Sequence, residues 1–272
     1  MKLLNGSEIA AFVKERQAKQ VRGLRQAWHT VPRLAVVQTV DNPVIDTYVR
    51  LKYQYAEDIL VEFELHKVTQ NEALNVIESL NNDDAVHGVI VQLPLADPSQ
   101  TEELVNAVAP QKDVDGLGEN PMFDPATPTA ILWLLAAYNI SPEKHHIAIV
   151  GNGRLVGKPL ARIWAESGCD VTVFDENTPD IKTQLLQYSL IVTATGSPRI
   201  ITSDMVRSNA IVIDAGTSAE HGVIVGDVDD SLRSRDDLMI TPLIGGVGPL
   251  TIAALFENVI SAARKTIPAE DL

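Results

Sequence analysis

The apolar positions of this chain recur with two different periods, and the period changes at regular intervals. Residues 8–29 place Ile9, Ala10, Val13, Val21 and Leu24 at helical spacing, with Ser7 in position to cap the first turn. "RLAVVQTV" follows as a nearly unbroken apolar run, the pattern of a strand buried on both faces. "DTYVRLKYQYAEDILV" then predicts a helix with Tyr48, Leu51, Tyr55 and Ile59 on one face. "EFELHKV" alternates like a strand, "NEALNVIESLNND" is helical, and "VHGVIVQLPL" is another buried strand. A repeated strand–helix–strand order implies a parallel, right-handed α/β layer.

A short helix in "DPSQTEELVNAVAP" ends at Pro110, and 111–129 has the Gly, Pro and Asp density of a loop. "ATPTAILWLLAAYNI" restarts as a helix, with Thr127 as its cap and Pro128 in its first turn. After the linker "SPEKHH", a second series begins at Ile147. Its strands are "IAIVG", "VTVFD", "LIVTATG", "AIVIDAG" and "MIT"; its helices are "GKPLARIWAESG", "DIKTQLLQY" and "TSDMVRSN". "GPLTIAALFENVISAARKT" closes the chain as a long amphipathic helix. The fold class expected is therefore α/β, with two α/β domains facing across a cleft, the second a Rossmann-type dinucleotide-binding domain. The first is expected to comprise 1–139 and 247–272, and the second 140–246.

Length and composition agree with two domains: 272 residues, 45% hydrophobic and 21% charged. Lys and Arg total 22 against 36 Asp and Glu, a net charge of −14. Such a surface repels polyanions, so nucleic acid and acidic membranes are poor expected partners. A small anionic cofactor remains possible, because it needs only a local nest of backbone N–H groups. With Cys169 as the single cysteine, a disulfide framework and a Cys-rich metal site are excluded. His29, His66, His87, His145, His146 and His221 lack ligand spacing, so no metal is expected and all six are read as structural or solvated. The first residues lack the apolar core of a signal peptide and no window has eighteen uncharged apolar residues, which makes the cytoplasm the expected compartment.

Chemistry concentrates first at "IAIVGNGRLVGKPLARIW". The turn holds Gly151, Gly153 and Gly157, one residue longer than the usual dinucleotide fingerprint, but in the right context of strand before and helix after. Gly151 permits a tight turn, Gly153 lets a pyrophosphate approach the backbone, and N–H groups near Val156 and Gly157 offer positive potential. A plain strand-to-helix turn is the competing reading. Asp175 ends the next strand, where an acid accepts hydrogen bonds from ribose hydroxyls. With Glu176 beside it, a 2′-phosphate meets two carboxylates, which favours NAD over NADP unless Arg154 or Arg162 compensates.

In the first half, Tyr48 and Lys52 lie four apart on one helical face, Gln92 interrupts an apolar strand, and Asp113 and Asp115 flank a turn at Gly116. Taken singly, these are a core-edge aromatic, a surface lysine, a satisfied glutamine and turn aspartates. Together they can act on a flat nitrogen heterocycle: the ring stacks, a carboxylate takes N–H donors, and an amine moves or polarises a proton. Partial desolvation would lower the lysine pKa toward a useful range.

"LLNGSEIAAFVK", "YVRLKYQYAEDI", "VHGVIVQLPL", "PQKDVDGL", "GNGRLVGKPLA", "VTATGSP", "VIDAGTS", "GDVD" and "ITPLIGGVGPLTIAALFEN" together resemble the bifunctional methylenetetrahydrofolate dehydrogenase/methenyltetrahydrofolate cyclohydrolase family. The resemblance covers nearly the whole chain. It implies that Lys52 is the central catalytic residue, that Tyr48 stacks on the pterin and aminobenzoyl parts, that Gln92 hydrogen-bonds Lys52, and that Asp115 binds pterin N–H groups. It implies dinucleotide contacts at Gly151, Asn152, Gly153, Arg154, Val156, Gly157, Asp175, Thr195, Gly196 and Thr217. It also implies folate contacts at Gly246 and Pro249, tetrahydrofolate derivatives as substrates, and a homodimer. Gly245, Gly246 and Gly248 are expected to let the chain pass close to nicotinamide and folate.

Asn152-Gly153 and Asp175-Glu176 replace the family's Arg-Ser and His-Ser pairs, and both changes remove groups suited to a 2′-phosphate. The loop from Gly116 to Pro125 is shorter than usual, and Val40 and Ile45 stand where the family has small residues. One activity alone, a shikimate-dehydrogenase-like enzyme and a non-catalytic dinucleotide sensor are the alternatives.

Overall fold

Two parallel sheets account for nearly all the strand pairing, and each is built from the apolar runs read above. The structure, a computed structural model, describes residues 1–220 and 223–268. Contacts divide the chain into two units: Ala11–Ala126 with Ile252–Leu272, and Met1–Ala10 with Thr127–Thr251.

The first unit holds a three-stranded sheet made of β2 (Arg33–Gln38), β3 (Glu62–Lys67) and β4 (Gly88–Gln92) in the order β3-β2-β4; β1 (Lys2–Leu3) belongs to the other unit. Register aligns the strand ends, with Gln38 of β2 opposite both Lys67 and Gln92. Ala35, Val37, Val89 and Val91 cover one face and pack with Ala73, Ile77 and Leu80 of α3 (Gln70–Asn81) and Leu104 and Val105 of α4 (Thr101–Ala107). Leu34, Val36 and Ile90 alternate with them and are equally buried, as a strand covered on both faces requires. Helices α1 (Gly6–Ala27) and α2 (Pro43–Ile59) complete this part, α1 beginning in the other unit. A peptide of cis geometry, Leu93–Pro94, follows β4.

In the second unit six strands run parallel in the order β1-β11-β8-β7-β5-β6: β5 (Ile147–Val150), β6 (Val171–Phe174), β7 (Leu190–Thr193), β8 (Ile211–Asp214) and β11 (Met239–Ile240) join β1. The chain passes from β5 to β6 on one side and then to β7 and β8 on the other. The direction of winding therefore reverses at β5, the place where open α/β sheets bind ligands beyond their strand ends. Around the sheet are α5 (Ala126–Ala137), α6 (Gly157–Glu166), α7 (Ile181–Leu185), α8 (Asp230–Arg233) and the start of α9 (Val247–Lys265), with a hairpin of β9 (Ser218–Glu220) and β10 (Val223–Val225).

Several expectations change on this frame. Residues 1–10 and α5 group with the six-stranded unit rather than with residues 11–126. The cause is local: Lys2 and Leu4 donate to the carbonyls of Leu238 and Ile240 at 2.9 Å, and Ala130, Ile131, Leu134 and Leu135 of α5 share a core with Ile147, Ile149, Leu190 and Val192. Ser7 lies inside α1, and the Asn5 side chain caps that helix by accepting from the Ser7 N–H at 3.0 Å. Thr127 is likewise inside α5 rather than before it. "TSDMVRSN" forms only a single 3-10 turn, Ser203–Met205.

α2 matches its expected face in part: Tyr55 and Ile59 are buried, but Leu51 is 38% exposed, and Ile45, Val49, Ala56 and Ile59 form the inner stripe. Steps of four, seven and three residues leave position 52 as the missing member of that inner stripe, and a lysine fills it.

Ile149 sits at the centre of the larger core with no solvent exposure. Ile149→Ala should lower the unfolding free energy by about 2–5 kcal/mol, read from the midpoint of urea denaturation.

Candidate active site

Gln38 begins the site, although it makes no chemistry of its own. Buried at the end of β2, it donates from Nε2 to the Val40 carbonyl and to Asp46 Oδ1, both at 2.8 Å. Asn42 caps α2 by accepting from Val44 N–H at 2.8 Å, and Pro43 supplies a first helical residue with no N–H to satisfy. The helix therefore leaves the sheet at a fixed angle, carrying Tyr48 and Lys52 one turn apart, both half-buried.

Lys52 Nζ donates to Gln92 Oε1 at 2.7 Å. Gln92 is the last residue of β4, and its Nε2 donates to the Leu93 carbonyl at 2.9 Å. That second bond commits the amide nitrogen, so the carboxamide presents its oxygen to the lysine. Asp115 reaches the same place from the following loop. Val89 N–H donates to the Lys112 carbonyl at 2.8 Å, and an isolated bridge joins Val89 to Asp113, which lays the loop along β4.

Asp113 then holds the turn. Its Oδ1 accepts from Gly116 N–H at 3.0 Å and Leu117 N–H at 3.3 Å, and its Oδ2 accepts from Gly118 N–H at 2.8 Å. Gly116 has φ +66°, and a Cβ there would lie 2.6 Å from the Phe123 carbonyl. The turn chemistry expected of Asp113 is what its side chain does, and the adjacent Asp115 is coupled electrostatically to Lys52.

Electrostatics couple the pair. Burial pushes the Lys52 pKa down, and Asp115 partly offsets this. Burial pushes the Asp115 pKa up; Lys52 opposes that and Asp113 adds to it. Each group is thus held closer to neutrality than in water. Lys112, by contrast, is turned inward and donates to the carbonyls of Leu80 at 2.9 Å and Asp83 at 2.7 Å, a structural role.

The six-stranded unit carries the glycine turn where β5 meets α6. Gly151 has φ +107°, and a Cβ there would come within 2.5 Å of the Ala194 carbonyl. A Cβ on Gly157 would overlap the Gly151 carbonyl, so the helix start packs directly on the turn. Nothing lies within 4 Å of where a Cβ on Gly153 would point, and Asn152 and Gly153 are exposed. No side chain caps the first turn of α6; Lys158 and Leu160 N–H groups donate to the Gly153 and Val156 carbonyls at 3.0 Å and Pro159 has no N–H, so Gly157 N–H is the donor this turn can offer a ligand. These features fit a pyrophosphate lying over Gly153. Arg154 and Val156 are half-buried within the turn, and Thr195, Gly196 and Thr217 lie on the loops after β7 and β8.

At the exposed end of β6, Asp175 Oδ1 accepts from Asn177 N–H at 2.9 Å and Thr178 Oγ1 at 3.1 Å. Further on, Gly245 has φ +86° and its carbonyl accepts from Gly6 and Ser7 N–H groups at 2.8 and 3.0 Å. Gly245 and buried Gly246 therefore pack against the start of α1, and only Gly248 has open space beside it; Pro249 sits half-buried in the first turn of α9.

A family model described as tetrahydrofolate dehydrogenase/cyclohydrolase, catalytic domain, matches residues 4–115, and its NAD(P)-binding domain counterpart matches residues 125–267. The chain belongs to this family. It is 34% identical to the bifunctional protein FolD of Exiguobacterium sibiricum over 276 residues, 96% of this chain and 99% of the relative. A crystal structure of the bifunctional FolD enzyme from Campylobacter jejuni aligns with a TM-score of 0.91 and 36% identity, covering 98% of this chain and all of that one. The FolD of Trypanosoma brucei, crystallised with NADP and an inhibitor, aligns at 0.90 and 27% identity over 98% of each chain. Family membership removes the shikimate-dehydrogenase-like alternative.

Within this family member the structure brings together Lys52, Gln92 and Asp115, with Tyr48 one turn away on the helix that carries Lys52. Gln38 was not singled out in the sequence, and Asp113 was read there as a turn residue. A signal existed for Gln38, which ends an apolar run just as Gln92 does. Among the described residues no cluster of three or more His, Cys, Asp or Glu could hold a metal ion, and no helix is long and apolar enough to cross a membrane. His87 Nδ1 accepts from Arg33 N–H at 3.2 Å and His145 Nδ1 bonds Ser189 Oγ at 3.0 Å; His221 lies outside the described residues.

Asp113→Asn turns one acceptor into a donor facing backbone N–H groups. It should cost about 1–3 kcal/mol of stability, measured by urea denaturation.

Proposed function

We propose that Lys52 serves both steps of a bifunctional enzyme, with Gln92 and Asp115 setting its protonation. The chain oxidises methylenetetrahydrofolate to methenyltetrahydrofolate with NAD(P), and hydrolyses methenyltetrahydrofolate to formyltetrahydrofolate. The observation that carries the assignment is the 2.7 Å bond from Lys52 Nζ to Gln92 Oε1, made by a lysine in an otherwise apolar stripe.

Oxidation removes a hydride from the one-carbon bridge, and the bound dinucleotide supplies its acceptor. The chain's contribution is to hold the folate in place. Tyr48 stacks on its flat rings, Asp115 accepts from pterin N–H groups, and Lys52 points its amine at the one-carbon unit. Hydrolysis then needs water to add to the methenyl carbon and lose a proton as the ring opens. A lysine with a lowered pKa is neutral over more of the physiological range, so it can take that proton. One site serves both steps because the carbon hardly moves between them.

NAD is the proposed dinucleotide. Asp175 and Glu176 stand exposed at the end of β6, and Asp175 is already oriented by Asn177 and Thr178. Arg162, one candidate for neutralising a 2′-phosphate, is paired with Glu166 at 3.3 Å. Gly246 and Pro249 as folate contacts, a homodimer and a cytoplasmic location belong to the same proposal, on the family resemblance.

Lys52→Met should lower methenyl hydrolysis by at least about a hundredfold while leaving the KM for dinucleotide unchanged. Equal turnover in variant and wild type would refute the assignment. In the wild type, hydrolysis should rise with pH as it passes the lowered Lys52 pKa. Gln92→Glu places a carboxylate on the ammonium and should move that rise to higher pH. Dehydrogenase assays should give a larger kcat/KM with NAD than with NADP, and Asp175→Ser should narrow the gap; a preference for NADP in the wild type would reject the choice.

A further inference from the structure

Behind the loops that follow β7 and β8 lies a group of charged side chains with no part in the reaction described above. Asp214, at the end of β8, receives most of the hydrogen bonds. Its carboxylate accepts from Gly216 N–H at 3.2 Å, Asp227 N–H at 3.1 Å, Val228 N–H at 3.3 Å and Thr193 Oγ1 at 3.1 Å, and it is paired with Arg233. Arg233 also donates to the Thr241 carbonyl at 2.7 Å. Asp214 and Arg233 carry most of the hydrogen bonds of this knot, with Arg233 Nε buried and unbonded.

Asp227 is different. It is fully buried, and Oδ2 accepts from Thr195 N–H at 2.6 Å, while Oδ1 is buried without a hydrogen-bond partner. A Cβ on Gly216 would overlap the Asp227 carboxylate, so that group rests directly on the Gly216 backbone. Burial is the main cause of a raised Asp227 pKa; Thr195 opposes it through backbone and side chain, Asp214 adds to it, and Gly196 N–H opposes it. A buried carboxylate with one oxygen unsatisfied costs stability, and an apolar residue would avoid that cost. What it does hold is the loop after β7 at Thr195 and the loop after β8 at Gly216, followed directly by Gly196 and Thr217 respectively.

We propose that Asp227 is a positioning residue for the dinucleotide: its carboxylate fixes the Thr195 N–H and fills the space over Gly216, giving both loops the shape the dinucleotide requires. This rests on the reading that Thr195, Gly196 and Thr217 meet the dinucleotide. Thr195 N–H is oriented inward by the bond to Asp227, while the Thr195 hydroxyl accepts from Ser197 N–H at 3.0 Å and closes the turn. Loss of the carboxylate frees both loops together and leaves the Lys52 site, built from other elements, intact.

The test compares four variants of the full chain, measuring dinucleotide KM in the dehydrogenase assay and methenyl hydrolysis without dinucleotide. Asp227→Ala should raise dinucleotide KM by about tenfold or more, with hydrolysis within about twofold of wild type. Asp227→Asn keeps an acceptor for Thr195 N–H and should hold KM within about threefold. Gly216→Ala, which pushes the carboxylate off Thr195, should behave like Asp227→Ala and decides the matter if that variant does not fold. Gly153→Asp places a charge where the pyrophosphate is proposed to lie and reports on the underlying reading.

A raised KM in Gly153→Asp together with wild-type KM in Asp227→Ala and Gly216→Ala overturns the role of Asp227 alone. Wild-type KM in Gly153→Asp removes the dinucleotide reading and this inference with it. Equal loss of both activities in Asp227→Ala, or an Asn variant as damaged as the Ala variant, also overturns it.

Discussion

A lysine amine on the buried stripe of α2 is the constraint on which the rest of the three-stranded unit depends. Ile45, Val49, Ala56 and Ile59 make an ordinary inner face, and Lys52 interrupts it. Moving a charged ammonium from water into such a place is unfavourable, and the group responds by shifting its pKa down and by finding partners. Gln92 is an effective partner because it is neutral. A carboxylate at the same 2.7 Å would hold the proton on the amine; a carboxamide oxygen accepts its hydrogen bond without adding a full opposing charge. Asp115 supplies partial compensation and is itself moved toward neutrality by burial. The pair is therefore held nearer neutrality than either group would be in water.

This arrangement explains local choices elsewhere in the unit. Gln38 fastens the first turn of α2 to the end of β2, opposite Gln92 in register, so the helix and the two strand ends are fixed as one piece. Gln17 and Tyr55 hold the far end of the same helix: Tyr55 donates its hydroxyl hydrogen to Gln17 at 2.8 Å, and its ring stacks on Phe256 at 5.1 Å. Lys52 lies between these two anchors. A helix fastened only by apolar contacts could slide by fractions of an ångström; polar anchors at both ends define its height above the sheet.

Much of this was legible in the sequence, and the gaps have physical causes. The order of strands and helices followed from periodicity because parallel strands buried on both faces are unbroken apolar runs. β1 and the β9–β10 hairpin were not anticipated, since such short strands carry no period; β11, equally short, was legible only from its place in the strand–helix series. The allegiance of α5 was hidden for another reason: its residues are apolar nearly all round, so the pattern does not say which sheet it joins. Tyr48, Lys52, Gln92 and Asp115 could be singled out as polar residues at places where an apolar core or a plain turn was the simpler expectation. On α2 the expected face held at Tyr55 and Ile59 and failed at Leu51, because the inner stripe is centred about a residue further on, through Val49 and Ala56, and so passes through Lys52.

The two units solve the problem of shaping a loop in the same physical way. Asp113 gathers the N–H groups of Gly116, Leu117 and Gly118 behind the loop that presents Asp115. Asp214 gathers those of Gly216, Asp227 and Val228 behind the loops after β8 and β10. A carboxylate has room for several donors, so one side chain can satisfy backbone groups that a loop leaves unpaired on its inner side. The glycines of these loops face the acids and backbone behind them: a Cβ on Gly116 would meet the Phe123 carbonyl, one on Gly118 the Asp113 carboxylate, and one on Gly216 the carboxylate of Asp227. Loops shaped in this way need no bulky side chains of their own on the inner side, because the missing Cβ atoms let the backbone close down on its neighbours there. A buried acid therefore holds each loop from within, and Asp113 and Asp214 shape the chain in the same manner although they sit in different units.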